Sequence, residues 1–213
     1  SILEDRGIEY AGSGVVASRL CMDKQRTKEV VETSGVLVPR SMVFEQSTFV
    51  EVDRVVQTLG NHLVVKPVDQ GSSVSLNLVE GEAQLREAID PLPPGNWMIE
   101  KRIFGSELTV GVLHGKSLGV VEVIPKGGVY DYKHKYVAGS TEYLYPAELP
   151  PEMEAEVRDA AEKAFAVCGC RDFARVDFIA AKEGKCYFLE INTIPGLTET
   201  SLLPKSASCA GYD

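Results

Sequence analysis

Arg175 and Asp177 stand two residues apart in the apolar run FARVDFIAA, and Glu190 and Asn192 stand two apart in the next run, CYFLEIN. Alternate residues of a strand point to one face, so each run would place two polar groups on the same side of a sheet. If KEGK (182–185) forms a hairpin turn, residues whose numbers sum to 367 oppose one another, putting Asp177 across from Glu190 and Arg175 across from Asn192. Opposed carboxylates with Cβ atoms about 4.5–5.5 Å apart repel, and in a low dielectric one of them would take up a proton. Two readings stay open. Asp177, Glu190 and Asn192 could offer three hard oxygens to a divalent cation such as Mg2+, or the face is exposed and Arg175 is simply the counter-ion.

Other stretches could do chemistry beside such a patch. Lys66 ends the apolar run HLVVKP (62–67), either snorkelling to water or reaching an anion. GSS (71–73) follows it closely, and its small side chains let backbone N–H groups close on a phosphate. The spacing is not that of a P-loop, which argues against that nucleotide-binding class. Glu100 and Glu107 flank a strand-loop-strand in IEKRIFGSELTV, where a carboxylate could accept from an amino group or ribose hydroxyls, or be solvated. GVYDYKHKYVAG (128–139) brings three tyrosines and three basic residues into a glycine-flanked loop. It reads as an exposed loop, or as a lid carrying Lys135 and Tyr136 over an anionic substrate and excluding water.

The elements that must position these groups are partly legible. MDKQRTKEVVETSG (22–35) predicts a helix capped by Asp23 and closed by Gly35, and residues 47–60 predict a second, ended by Gly60. Strands are expected over VLVPRSMVF, 62–67, 73–79 and NWMIEKRI, with a hairpin of ELTVGVLH and SLGVVEVIP joined at Gly115. Helices are expected over 81–90 and 151–167, and a long polar loop over 126–149. Grouped strands with few intervening helices predict an α+β fold. GIEYAGSG (7–14) reads as the last strand of something before it, and the chain stops just after what reads as the start of a helix. Both ends look cut.

The 213 residues suffice for one large or two small domains, and a composition of 44% apolar and 25% charged residues is that of an ordinary soluble protein. The net charge of −9 argues against a general nucleic-acid binder. No apolar run is long enough to span a membrane and no secretory leader is visible. Five scattered cysteines, including Cys168-Gly-Cys170 without a matching partner pair, point to thiols in a reducing compartment, hence the cytoplasm.

Taken together, GSGVVASRLCMDKQRTK, VVKPVDQGSSVS, IEKRIFGSELTV, YDYKHKY, RVDF and LEINTIPGLTETSLLP resemble, in order and register, the D-alanine–D-alanine ligases of the ATP-grasp class, from about residue 7 to the end. The resemblance implies two α+β lobes with ATP bound between their sheets. It divides the chain into a remnant of an N-terminal substrate-binding domain (1–17), a central lobe (18–101) and a C-terminal lobe truncated at its end (102–213). It also implies peptidoglycan precursor synthesis through a D-alanyl phosphate. Lys24 and Lys66 would contact ATP phosphates, with Ser72 and Ser73 above them and Lys135 on the closing loop. Glu100, Lys101 and Ile103 would read adenine, and Glu107 the ribose. Asp177, Glu190 and Asn192 would hold Mg2+, as two ions, with Mn2+ as an alternative. Arg175 would stabilise developing negative charge, with Tyr136 in the lid and Ser72 completing the first substrate's surroundings. Ser201, Leu202 and the Gly196 backbone would receive the second amino acid. ATP and D-alanine would be the partners, with no nucleic acid or membrane and a homodimer as a candidate assembly.

Two departures stand out. The leading domain is reduced to its last strand, so the piece alone is expected to be inactive. Ser75 also occupies a position usually held by glycine, at a cost of about 1 kcal/mol if its φ is positive. The competing readings are a nucleotide-binding fragment without ligase activity, or a related ligase with another second substrate such as D-lactate.

Overall fold

The computed structural model describes residues 2–71, 75–125 and 141–212. Among the described residues, contacts divide the chain into two compact units, one of residues 2–38, 105–124 and 142–212 and the other of 39–71, 75–104, 125 and 141. Residues 18–38, which the resemblance groups with the central lobe, pack within the first unit.

The first unit begins with α1 (Ile2–Asp5), α2 (Val15–Met22) and α3 (Lys24–Glu32). The Asp23 side chain caps α3 by accepting from Arg26 N at 3.0 Å, satisfying one of the orphan donors of the first turn. The chain leaves the helix through Gly35 at φ +80°. Residues 7–14 are not a strand, contrary to the sequence expectation. Their backbone groups bond side chains instead: Arg171 donates to Tyr10 O and Gly12 O, each at 2.9 Å, and Gly12 N donates to Asp172 Oδ2 at 2.7 Å.

In the second unit, β1 (Ser41–Glu45) is followed by α4 (Val52–Leu59), β2 (His62–Pro67), β3 (Asn77–Glu80), α5 (Gly81–Ile89) and β4 (Asn96–Lys101). The sheet order is β1-β4-β2-β3, and its neighbours run antiparallel. Val52, Val55 and Leu59 recur at helical spacing on α4 and join Leu63, Val65, Leu85, Trp97 and Ile99 in one core. Gly60, at φ +96°, ends α4 as expected.

The remaining elements, which lie in the first unit apart from Pro125 and Thr141, are β5 (Gly105–Leu113), β6 (Lys116–Pro125), β7 (Thr141–Leu144), α6 (Pro151–Val167), β8 (Phe173–Ala181), β9 (Cys186–Asn192) and α7 (Leu202–Cys209). The sheet order is β7-β6-β5-β8-β9. Of the polar stretch 126–149, residues 126–140 lie outside the described residues, and 141–144 form a strand rather than loop. Val157, Ala161, Ala164 and Phe165 of α6 pack on Val110, Val176, Phe178 and Phe188. β5 and β8 pair from Gly105↔Ala181 to Leu113↔Phe173. At Gly105 a Cβ would lie 1.9 Å from Ala180 O, so only glycine lets the strand start this close to its neighbour. Each unit thus sets helices against a sheet, the α+β class expected. No helix of the described residues is long and apolar enough to cross a membrane.

Candidate active site

The β8–β9 hairpin sets the site, by a route the simple turn rule does not show. Ala181 N donates to Lys185 O, and Gly184 sits at φ +79°, so the turn is tighter than four residues. Near the turn the pairs are Ala180↔Cys186, Ile179↔Tyr187 and Phe178↔Phe188. A bulge beside Asp177 then skips Leu189 and restores the expected opposition of Asp177 with Glu190 and Arg175 with Asn192.

The two carboxylates are not left facing each other alone. Arg175 donates to both oxygens of Asp177, Nε to Oδ1 at 2.9 Å and Nη2 to Oδ2 at 2.8 Å. This fork satisfies the carboxylate and fixes the guanidinium plane. Asn192 Nδ2 lies over both acids, 3.1 Å from Asp177 Oδ2 and 3.4 Å from Glu190 Oε1. Lys24, the first residue of α3, brings its Nζ within 3.8 Å of Glu190 Oε2. The face is not an exposed one, for Asp177 and Lys24 are buried and Arg175 is half-buried. Counting Asp177, Glu190, Arg175 and Lys24, the patch sums to zero charge.

Thr109 completes the setting and was not singled out from the sequence. It lies opposite Asp177 across β5 and β8, is 1% exposed, and donates its hydroxyl to Asp177 Oδ1. Only the strand order, which sets β5 beside β8, reveals this residue, because nothing in the local sequence links it to Asp177.

The other expected residues fall as follows. Lys66 and Glu100 are both buried and joined at 2.9 Å across β2 and β4. Lys101 ends β4 and is exposed, Ile103 is half-buried just beyond it, and Glu107 is half-buried in β5. Ser201 is the N-cap residue of α7, and its hydroxyl lies 2.8 Å from Thr198 Oγ1. A Cβ on Gly196 would stand 2.5 Å from Ser201 Oγ, so glycine is what lets these two residues meet. Leu202 opens α7 half-buried. Ser72, Ser73, Lys135 and Tyr136 lie outside the described residues. Ser75 has φ +57°, the left-handed value anticipated for a glycine position.

The family profile described as "D-ala D-ala ligase C-terminus" matches residues 30–213. The chain belongs to the D-alanine–D-alanine ligase family. Among members of that family, the chain is 42% identical over 213 residues to the D-alanine--D-alanine ligase of Syntrophotalea carbinolica, covering 99% of this chain and 68% of that protein. The Bacillus anthracis D-alanine--D-alanine ligase solved in complex with ATP superposes with a TM-score of 0.82 at 32% identity, covering 99% of this chain and 67% of that one. The VanG D-Ala:D-Ser ligase of Enterococcus faecalis gives 0.87 at 31% identity, covering 99% and 63%. The fold is therefore the ATP-grasp fold of these ligases. Ligases named for different acceptors share it, so the fold by itself does not choose the second substrate.

Proposed function

We propose that the chain carries the nucleotide-binding and acceptor portions of an ATP-dependent D-alanine–D-alanine ligase that supplies the dipeptide for peptidoglycan precursors. The Arg175–Asp177–Glu190–Asn192–Lys24 patch, in a chain of this family, is what supports this function. In the reaction the first D-alanine's carboxylate attacks the γ-phosphorus and ADP leaves. The amine of the second D-alanine then attacks the acyl carbon and phosphate leaves.

Bringing two anions together calls for positive charge and fixed donors. Lys24 and Lys66 are assigned to the phosphates, Glu100, Lys101 and Ile103 to adenine, and Glu107 to ribose. Arg175 is assigned to the charge that develops on the acyl phosphate, where a planar fork serves better than an ammonium. Ser201, Leu202 and the Gly196 backbone are assigned to the second amino acid. Ser72, Ser73, Lys135 and Tyr136 are assigned to closure over the phosphates and first substrate.

Mg2+ fits the donor set. Among the described residues no group of three or more His, Cys, Asp and Glu has metal-binding geometry. The patch instead offers two carboxylates, and turning the Asn192 amide over would present Oδ1 where Nδ2 now lies. A divalent ion there would supply Lewis-acid stabilisation of the phosphates. Adding it to a neutral patch leaves a net charge of +2, the sign a triphosphate needs. A cytoplasmic location and a homodimer are further parts of the proposal.

The test is phosphate release from ATP in the presence of MgCl2, on this chain and on one with any upstream sequence restored. Release that depends on D-alanine in either supports the ligase. ATP binding without D-alanine-dependent release in both favours a binding module. Release that requires D-serine or D-lactate beside D-alanine changes the acceptor.

A further inference from the structure

Three thiols gather in the first unit, none of them part of the patch described above. Cys21 lies in the last turn of α2, and Cys168 and Cys170 flank Gly169 after α6. Cys21 Sγ is 3.8 Å from Cys170 Sγ, although 149 residues separate them. A disulfide requires about 2.05 Å, so the two sulfurs need to close by less than about 2 Å. Cys21 and Cys168 are buried, whereas Cys170 is only partly so and is the member a small oxidant can reach.

The two sulfurs are also chemically unequal. Hydrogen bonds with Cys168 and Cys170, then burial, push the Cys21 thiol up. A hydrogen bond from Cys21 pulls Cys170 down, against burial, and the Ser13 hydroxyl adds to that effect. Thiolate character and access select the attacked cysteine.

We propose that Cys170 and Cys21 form a peroxide-oxidised dithiol, with Cys170 the attacked sulfur and Cys21 the resolving one. The Cys170 thiolate attacks one oxygen of hydrogen peroxide: an S–O bond forms, the O–O bond breaks and hydroxide leaves. The Cys21 sulfur then attacks Cys170, forming the S–S bond and breaking the S–O bond, and its proton leaves with the hydroxyl as water. Two thiols are oxidised and one peroxide is reduced. The pair would react in this way whether or not the chain ligates D-alanine.

The experiment treats the whole chain with one equivalent of hydrogen peroxide at neutral pH, alkylates the remaining thiols, and maps peptides by mass spectrometry. The expected product is a Cys21–Cys170 crosslink that dithiothreitol removes. In Cys21→Ser, Cys170 is expected to accumulate as a sulfenic acid trapped by dimedone. A main product containing Cys168, a disulfide between two chains, or three thiols alkylated as in untreated protein would overturn the proposal. The crosslink map of the unsubstituted chain decides the matter even if a variant fails to fold.

Discussion

Asp177→Asn tests the geometry and the metal proposal separately. The substitution keeps the side chain's shape, removes its charge and places an NH2 among groups that donate. Asp177 accepts from Arg175 at 2.9 and 2.8 Å, from Asn192 at 3.1 Å and from the Thr109 hydroxyl. Removing one partner of a buried ion pair costs about 3–5 kcal/mol. Here the Arg175 and Asp177 side chains keep 16% and 11% of their exposure, and asparagine retains one acceptor, so about 2 kcal/mol is expected. For a chain of this size that is a fall in Tm of about 4–8 °C. A unit charge about 4 Å away is worth about 4 kcal/mol at an effective dielectric of about 20. Its loss beside a doubly charged ion therefore lowers turnover by roughly a thousandfold or more. Urea denaturation measures the first effect, and phosphate release against MgCl2 concentration the second. An unchanged urea midpoint refutes the packing argument, and unchanged turnover at ordinary Mg2+ refutes the metal assignment.

Thr109→Val is expected to cost about 1 kcal/mol, since a hydrogen bond to a charged group is lost while Asp177 keeps its other donors and buried carbon is gained. If Thr109→Ser, which keeps the hydroxyl, costs more in urea denaturation, the methyl matters and the bond does not. Ser75→Gly relieves a left-handed residue and is expected to stabilise by about 1 kcal/mol, read as a higher urea midpoint. Burial, then the charge of Glu156, pushes the Cys186 thiol up to about 12 from 9.0. Native Cys186 should therefore react with iodoacetamide at a pH of about 8 about a thousandfold more slowly than in urea, and equal rates would refute this. Because the folded value is the higher one, this group's contribution to stability is complete below pH 9.0 and declines as pH rises toward about 12.

Local rules carried much of the chain. Asp23 caps its helix, and Gly35 and Gly60 end theirs, because each depends on a few neighbouring backbone groups, whereas the positive φ at Ser75 was expected only from the family resemblance. The same locality failed at residues 7–14, where side chains of Arg171 and Asp172 take the backbone bonds that a strand would have needed.

Residue pattern was enough to place most strands and several helix ends, and to show that Asp177 and Glu190 meet, since a hairpin joins near neighbours; α2 and β7 were not foreseen, and α4 starts at Val52 rather than 47. Folding in three dimensions was needed for the bulge at Leu189, the Thr109 hydroxyl on Asp177, Lys24 beside Glu190 and Cys21 beside Cys170. All but the bulge join segments far apart in the chain. Their partners are selected by strand order and helix packing, which no local spacing encodes.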